Sequence, residues 1–367
     1  MARLKTVILG TGFGRTVQAL GFQRHEGFEL AGIAGRQLDK ARRVAAELGI
    51  PNASDDWRAL IAEVRPDVVS VATPASLHHP MMMAALDAGA HVLCEKPTAL
   101  HRHQAAEMRD RAATLGRVAA INHEFRFFPA RRRAVELVQQ GAIGHPRRGV
   151  ILGRYPIWTK PDSRGMTWLS DKTWGGGILG ALGSHHTDCL RLFFGEPRRV
   201  LASVRVDQPQ RGPVSGQPEA ARATADDACT VQYQFDGGAT ALLDLNAVAP
   251  YRWEQFEIHG SESSLRWDES GYRLWRLAAG RDPEELEIPA PMRLETREGD
   301  PALVAPFGVM VERLHHAITA GAPMEPDFYD AVAVQSALDA ARLSSEAGGW
   351  VNVDVPAPAT IQAVVPA

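Results

Sequence analysis

Cysteine is scarce in this chain. There are three among 367 residues, Cys94, Cys189 and Cys229, odd in number, far apart and without a CxxC pair. That supports neither a disulfide framework nor a zinc knuckle, and a reducing cytoplasm is the compartment it suits. An excess of one charge is also missing: 40 Lys and Arg stand against 43 Asp and Glu, a net −3. Nucleic-acid binding needs a clustered basic surplus, so no such partner is expected. The one basic run, Arg131-Arg132-Arg133, reads as the solvated face of a helix. No apolar stretch approaches the roughly 20 residues of a membrane-crossing helix. The opening Met1–Lys5 runs into a β-rich segment with no cleavable-signal pattern. The pairs His78-His79 and His315-His316 lack HExxH spacing or a joining carboxylate, so no metal is expected. What remains is an ordinary globular composition, 45% hydrophobic, of a length suited to two domains.

The first 120 or so residues alternate strand and helix. Strands are expected at Lys5–Leu9, Glu29–Ala34, Val68–Ala72, Val92–Cys94 and Val118–Ile121. Helices are expected at Arg15–Arg24, Leu38–Leu48, Trp57–Glu63, Pro80–Ala88 and Ala99–Leu115. Repeated βα units of this length imply a parallel sheet covered on both faces. After Asn122 the pattern changes. Helices Arg131–Gln140 and Ile178–Phe194 flank a strand near Arg147–Arg154, and β structure then dominates. Ala228–Phe235 and Ala239–Val248 flank the turn Asp236-Gly237-Gly238. Arg252–His259 and Ser264–Trp267 flank another, and helices Ala305–Ala320 and Phe328–Ala347 close the pattern before a strand at Trp350–Val355. Close hairpin spacing implies an antiparallel second sheet. The expected division is 1–122 and 123–367. Gln208–Thr224, rich in Pro, Gly and Gln, reads as a mobile loop, and the tail after Pro356 has little reason for order.

Gly10-Thr11-Gly12-Phe13-Gly14 lies at the first strand–helix junction. Glycines there let the backbone approach a pyrophosphate, whose charge sits at a helix amino terminus. The third glycine is one residue early for the usual fingerprint, with Arg15 in the expected place. The end of the second strand selects the dinucleotide, because an acid there binds the ribose hydroxyls of NAD(H) and repels a 2′-phosphate. Ile33-Ala34-Gly35-Arg36 has no acid, and the fork of Arg36 suits a 2′-phosphate. NADP(H) is therefore favoured, with NAD(H) open.

Glu95-Lys96-Pro97 closes the apolar run His91–Cys94. A charged pair at the carboxyl end of a buried strand faces the ligand crevice of an open α/β sheet. With an ordinary pKa near ~10.4, a lysine is an ammonium at neutral pH and can polarise a carbonyl or donate a proton. The second constellation is Gly175–Asp188. Five glycines in its first nine residues cost a helix roughly 1 kcal/mol each, which suggests close approach of a ligand or another chain. His185 is the candidate general base. Asp188, three residues on, is the candidate to orient it, and His186 is a lesser one. Arg126, Arg154 and Lys160 are candidates for an anionic group of the substrate.

With these residues in place the chain resembles the Gfo/Idh/MocA oxidoreductases. The shared features are the glycine loop, Thr73-Pro74 with His78 four residues on, Ala85–Pro97, Gly175–Asp188 and Ser344. The resemblance implies an amino-terminal Rossmann domain and a carboxy-terminal α/β domain with a large, mostly antiparallel sheet, which often joins dimers or tetramers. It implies that Lys96 meets substrate and nicotinamide, that His185 takes the hydroxyl proton, and that Thr73, Pro74, His78 and Glu95 line the cofactor. Many members carry an aspartate four residues before the histidine; here it is Ala181. The expected activity is hydride transfer at a secondary alcohol or ketone of a sugar, cyclitol or polyol. Transient oxidation by bound NAD(H) during glycoside cleavage, and a non-catalytic dinucleotide-binding regulator, are the rival readings.

Overall fold

The computed structural model describes residues 3–212 and 221–355. Its first sheet contains β1 (Leu4–Leu9), β2 (Phe28–Ala34), β3 (Asn52–Ser54), β4 (Val68–Val71), β5 (His91–Cys94) and β6 (Ala119–Ile121). All five pairings are parallel, in the order β3-β2-β1-β4-β5-β6. The order reverses between β1 and β4, so a crevice opens at the carboxyl ends of those two strands. The strands are continuous apolar runs because helices cover both faces. Those helices are α1 (Ala19–Arg24), α2 (Leu38–Leu48), α3 (Trp57–Val64), α4 (His78–Asp87) and α5 (Arg102–Thr114).

Several boundaries differ from expectation for local reasons. The segment Gly14–Gln18 is a π-turn leading into α1. Helix α4 begins at His78, ahead of Pro80, because a first-turn proline gives up an N–H that has no helical partner anyway. Helix α5 begins three residues late, since the Leu100 N–H is taken by the Gln104 side chain at 3.2 Å.

Beyond β6 come a short 3₁₀ turn, Glu124–Phe127, then α6 (Pro129–Gln139), β7 (Pro146–Pro156) and α7 (Ser184–Phe194). The expected helix Ile178–Phe194 is split: Leu179–Gly183 is a π-turn before α7. The chain continues as β8 (Pro197–Arg205), β9 (Gln210–Arg211), β10 (Ala221–Arg222), β11 (Ala228–Phe235), β12 (Thr240–Asn246), β13 (Val248–Gly260), β14 (Ser264–Trp267), β15 (Leu274–Leu277) and β16 (Glu284–Leu286). Helices α8 (Val304–Ala320) and α9 (Phe328–Ala347) precede the short β17 (Val351–Asn352). Nine strands form the second sheet, in the order β16-β15-β14-β13-β7-β12-β11-β8-β17. Only β7–β12 is parallel within it. The short strands β3, β15 and β16 are too brief to show a period in the sequence.

Part of the expected mobile loop is paired, since β9 and β10 form a two-stranded ribbon. Its remainder, 213–220, and the tail from 356 lie outside the described residues. The basic run is not a solvated face throughout. Arg131 is buried, with its guanidinium over the rings of Phe125, Phe128 and Phe256. The last helices return to the first sheet. Phe307, Met310, Val311 and Leu314 of α8 join the core on one face, and Phe328, Ala331 and Val332 of α9 join it on the other.

Candidate active site

Gly10 ends β1 with φ +131°, where a Cβ would lie 2.2 Å from the Ala72 carbonyl oxygen. Only glycine lets the ends of β1 and β4 meet so closely. Gly12 is exposed at the tip of the turn, and a Cβ there would find nothing within 4 Å. Gly14 opens the helical turn with Ile8 packed against it. The N–H groups at the start of a helix lack partners within it and favour an anion. The Arg15 and Thr16 N–H groups donate to the Gly12 carbonyl, at 3.1 and 3.2 Å, so the turn offers open space over Gly12 at a helix amino terminus, which fits a dinucleotide pyrophosphate. Thr11 packs on Gly35 at the end of β2, and Phe13 packs against the core of the first sheet. Arg36 follows, exposed and with no ion pair among the described residues. Arg15 is held by Glu47 of α2, at 2.7 and 3.0 Å.

Thr73 and Pro74 extend from β4, both half-buried at the rim. His78 does not join them there. It is fully buried, with Nε2 2.8 Å from the Thr73 carbonyl and Nδ1 3.2 Å from that of Thr98. Burial lowers its pKa, so a neutral ring fastens the Thr73 turn from beneath. The expectation that His78 lines the cofactor is corrected to a supporting position.

Glu95 is buried behind the rim. Its Oε1 accepts from Gln18 Nε2 at 2.9 Å and Asn122 Nδ2 at 2.7 Å, and the Gln18 carbonyl accepts from Ser70 at 2.8 Å. Burial raises the Glu95 carboxyl and the Lys96 charge opposes that rise. Lys96 is half-buried, and its Nζ donates to the Ala181 carbonyl at 3.0 Å. This bond joins the strand end of the first sheet to the turn that feeds α7, one helical turn before His185. Gly180 lets that turn seat, since a Cβ on it would come 3.1 Å from Pro97. The close approach inferred from the glycine density is thus supplied by this chain's own segments: Trp168 and Leu169 press on Gly176, and Asp226 on Gly177.

His185 is 1% exposed and stacks on Phe125, with ring centroids 3.8 Å apart and planes 8° from parallel. Burial, and next the Lys96 ammonium, hold it well below the usual histidine range. Asp188 does not orient it. That carboxylate is held in two 2.5 Å bonds by Arg126 and a third, at 3.4 Å, from Arg191. Asp330 of α9 bridges the same two arginines, at 2.8 and 2.9 Å. His186 points into the core against Phe256, at 5.5 Å between centroids. The residue beside His185 is Glu124, whose Oε1 lies 4.0 Å from its Nε2. Burial and then the charge of Glu95 push the Glu124 carboxyl up to about 8, against the pull of Lys96.

Among the suggested anion binders, Arg126 is consumed by Asp188 and Asp330, and Arg154 pairs with Asp244 at 2.6 Å. Lys160 is exposed. The sequence reading missed Gln18, Asn122, Glu124 and Phe125. A signal for three of them was present: Asn122-His123-Glu124-Phe125-Arg126 is a polar run at the carboxyl end of β6, the argument that singled out Glu95-Lys96 at β5. Among the described residues no group of three or more His, Cys, Asp or Glu is placed to hold a metal ion.

A glycine turn at the switch point of a parallel sheet, with a lysine on the same rim, defines an enzyme class built on a dinucleotide-binding Rossmann domain. Comparison with known proteins supplies the family. Residues 4–123 match the model described as "Oxidoreductase family, NAD-binding Rossmann fold", and residues 131–266 match "GFO/IDH/MocA C-terminal domain". The chain belongs to the Gfo/Idh/MocA oxidoreductase family, so the resemblance read from its motifs, and the fold it implied, are borne out. Levoglucosan dehydrogenase of Pseudarthrobacter phenanthrenivorans is 28% identical over 348 residues, 88% of each chain. The protein named D-xylose 1-dehydrogenase (NADP(+)) 2, of Haloferax volcanii, is 28% identical over 352 residues, covering 95% of this chain and 99% of its own. A solved levoglucosan dehydrogenase in complex with NADH and levoglucosan aligns with a TM-score of 0.86, over 96% of this chain and all of its own. At 24% identity that is a likeness of fold.

Proposed function

We propose that this protein transfers hydride between NADP(H), with NAD(H) as the weaker partner, and a secondary alcohol or ketone of a sugar, anhydrosugar or related polyol. The observation that carries this reading is the Lys96–Ala181 bond, which brings the rim of the dinucleotide crevice against the start of the His185 helix. A dinucleotide bound across Gly10–Gly14, Thr73 and Pro74 supplies the hydride acceptor or donor. The protein's part is positional and protonic. Lys96 spends one ammonium proton on Ala181, leaving two to hold the substrate oxygen and favour negative charge on it. Glu95, anchored by Gln18 and Asn122, keeps the strand end rigid behind that ammonium. His185 receives the hydroxyl proton during oxidation and returns it during reduction, with access to its ring controlled by Phe125. The cofactor preference rests on Arg36 and on the absence of an acid at the end of β2. Among the relatives, one name carries levoglucosan and another D-xylose with NADP(+), which supports a sugar-like substrate.

Exposed Tyr251 and Trp253 on β13 support a homodimer or homotetramer formed through the second sheet. Three free, buried cysteines suit the cytoplasm, and no helix among the described residues is long and apolar enough to cross a membrane.

The test is a thermal-shift comparison of NAD(H) and NADP(H), followed by sugars and polyols, including levoglucosan and D-xylose, monitored by nicotinamide absorbance. Lys96→Met is expected to keep dinucleotide binding and lose about 10²- to 10⁴-fold in kcat. Full turnover in that variant, or binding of neither dinucleotide, would overturn the reading. Glycoside cleavage without net absorbance change would favour the transient-oxidation rival.

A further inference from the structure

Glu124 is a buried carboxyl in an unusual position. It is fully enclosed, and neither oxygen has a hydrogen-bond partner. Burying such a group unpaired costs several kcal/mol unless it is neutral or serves a purpose. Toward α7 its Oε1 lies 4.0 Å from Nε2 of the His185 imidazole, whose other nitrogen, Nδ1, is buried and without a hydrogen-bond partner. The obvious alternative partner is engaged elsewhere, because Asp188 is clamped by Arg126 and Arg191. Ala181, one turn before His185 on the same helical face, brings no carboxyl group.

We propose that Glu124 is the positioning and proton-accepting partner of His185, so that the two side chains act as one acid–base unit. The inference rests on the function proposed above. In the oxidation direction, one ring nitrogen of His185 takes the proton of the substrate hydroxyl. The proton on its other ring nitrogen passes to the Glu124 carboxylate. The imidazole ends neutral, the carboxylate becomes a carboxylic acid, and one proton has moved two sites. Reduction runs the same transfers backwards. A 4.0 Å separation is too long for a direct hydrogen bond, and it closes by about 1 Å, or through one water, when substrate is bound, as catalytic contacts commonly do.

The charges that face this unit come from four elements. Glu95 and Lys96 lie at the end of β5, His123 at the end of β6, Arg131 on α6 and His186 on α7. Glu95 works against ionisation of Glu124, while Lys96 and Arg131 favour it. Burial, and next the charge of Glu95, push the carboxyl up to about 8. Below that pH it is already protonated and cannot accept from His185. The oxidation rate is therefore expected to climb as pH rises through about 8, while the reduction rate falls.

The test uses the full chain with ring-¹⁵N histidine, its His185 signals assigned by their loss in His185→Gln. In the wild type with NADPH bound, the His185 ring shifts are expected to inflect near pH 8. In Glu124→Gln that inflection disappears, kcat falls about 10- to 100-fold with KM nearly unchanged, and the rising limb of the oxidation profile is lost. Adding Ala181→Asp to Glu124→Gln is expected to restore part of kcat. A wild-type His185 titration without that inflection overturns the proposal, and it needs no known substrate and no Glu124 variant. So does a Glu124→Gln enzyme with unchanged shifts and pH profile. Because the spectroscopic arm is independent of turnover, failure of the oxidoreductase reading shows separately, as absent hydride transfer with the His185–Glu124 coupling intact.

Discussion

Arg36 is an exposed guanidinium at the end of β2 with no ion pair among the described residues, on the side of the crevice where a dinucleotide's adenosine ribose binds. A charge-assisted hydrogen bond contributes about 1.5–3 kcal/mol. Arg36→Glu is accordingly expected to lower the ratio of NADP(H) to NAD(H) affinity by at least about 10-fold, by replacing attraction with repulsion at a 2′-phosphate. Titration of both dinucleotides by intrinsic fluorescence checks this; an unchanged ratio would remove Arg36 from the binding site. At this scale the chain's sequence was legible where a residue type alone implied chemistry, as at Lys96. It was misleading where chemistry depends on neighbours. Asp188 had the right spacing for His185, yet two arginines distant in sequence claim it.

Among the elements, the β1–α1 turn separates two roles of glycine that a motif treats alike. Gly10 is needed by the fold, whereas the proposed function assigns Gly12 to the ligand. Gly10→Ala drives a Cβ into Ala72 at a φ that side chains avoid, and is expected to cost more than about 2 kcal/mol in urea unfolding. Gly12→Val meets no internal atom, so its melting temperature should stay near the wild type. Its dinucleotide affinity should fall at least about 100-fold, because the isopropyl group fills the space where the backbone must approach a phosphate. Equal melting losses in the two variants would contradict this division. Similar logic applies at Gly175–Gly183. The glycine density was visible in the sequence, but its cause was not, since the approaching segments come from Pro97, Trp168, Leu169 and Asp226.

Across the whole molecule, a buried charge network joins segments far apart in the chain. Arg126 follows β6, Asp188 and Arg191 lie on α7, and Asp330 lies on α9. It sits directly behind the site, so it fixes where α7, and with it His185, stands relative to the first sheet. Burial opposes the charge on Asp330, but Arg126 and Arg191 outweigh it and draw its carboxyl down to about 2. A depressed carboxyl contributes its stability above the unfolded value of about 4 and loses it as pH falls toward 2. That contribution is about 2 kcal/mol by linkage. The urea midpoint should thus drop between about pH 4 and pH 2. Asp330→Asn should lower the midpoint at neutral pH and flatten that drop. An acid limb identical in both proteins would show that other carboxylates set it.

The amino-acid order by itself determined what depends on near neighbours: the βα repeat of the first half, the hairpins of the second, the glycine turn, and the charged end of β5. Each follows from side-chain periodicity or backbone freedom within a dozen residues, and these motifs sufficed to point to the family. Only the tertiary structure decided which carboxyl faces His185, that His78 lies beneath the rim, that Arg131 is buried, and that α8 and α9 pack against the first sheet. Those outcomes depend on contacts between residues widely separated along the chain. There, burial and competition for a limited number of charged partners override local pattern.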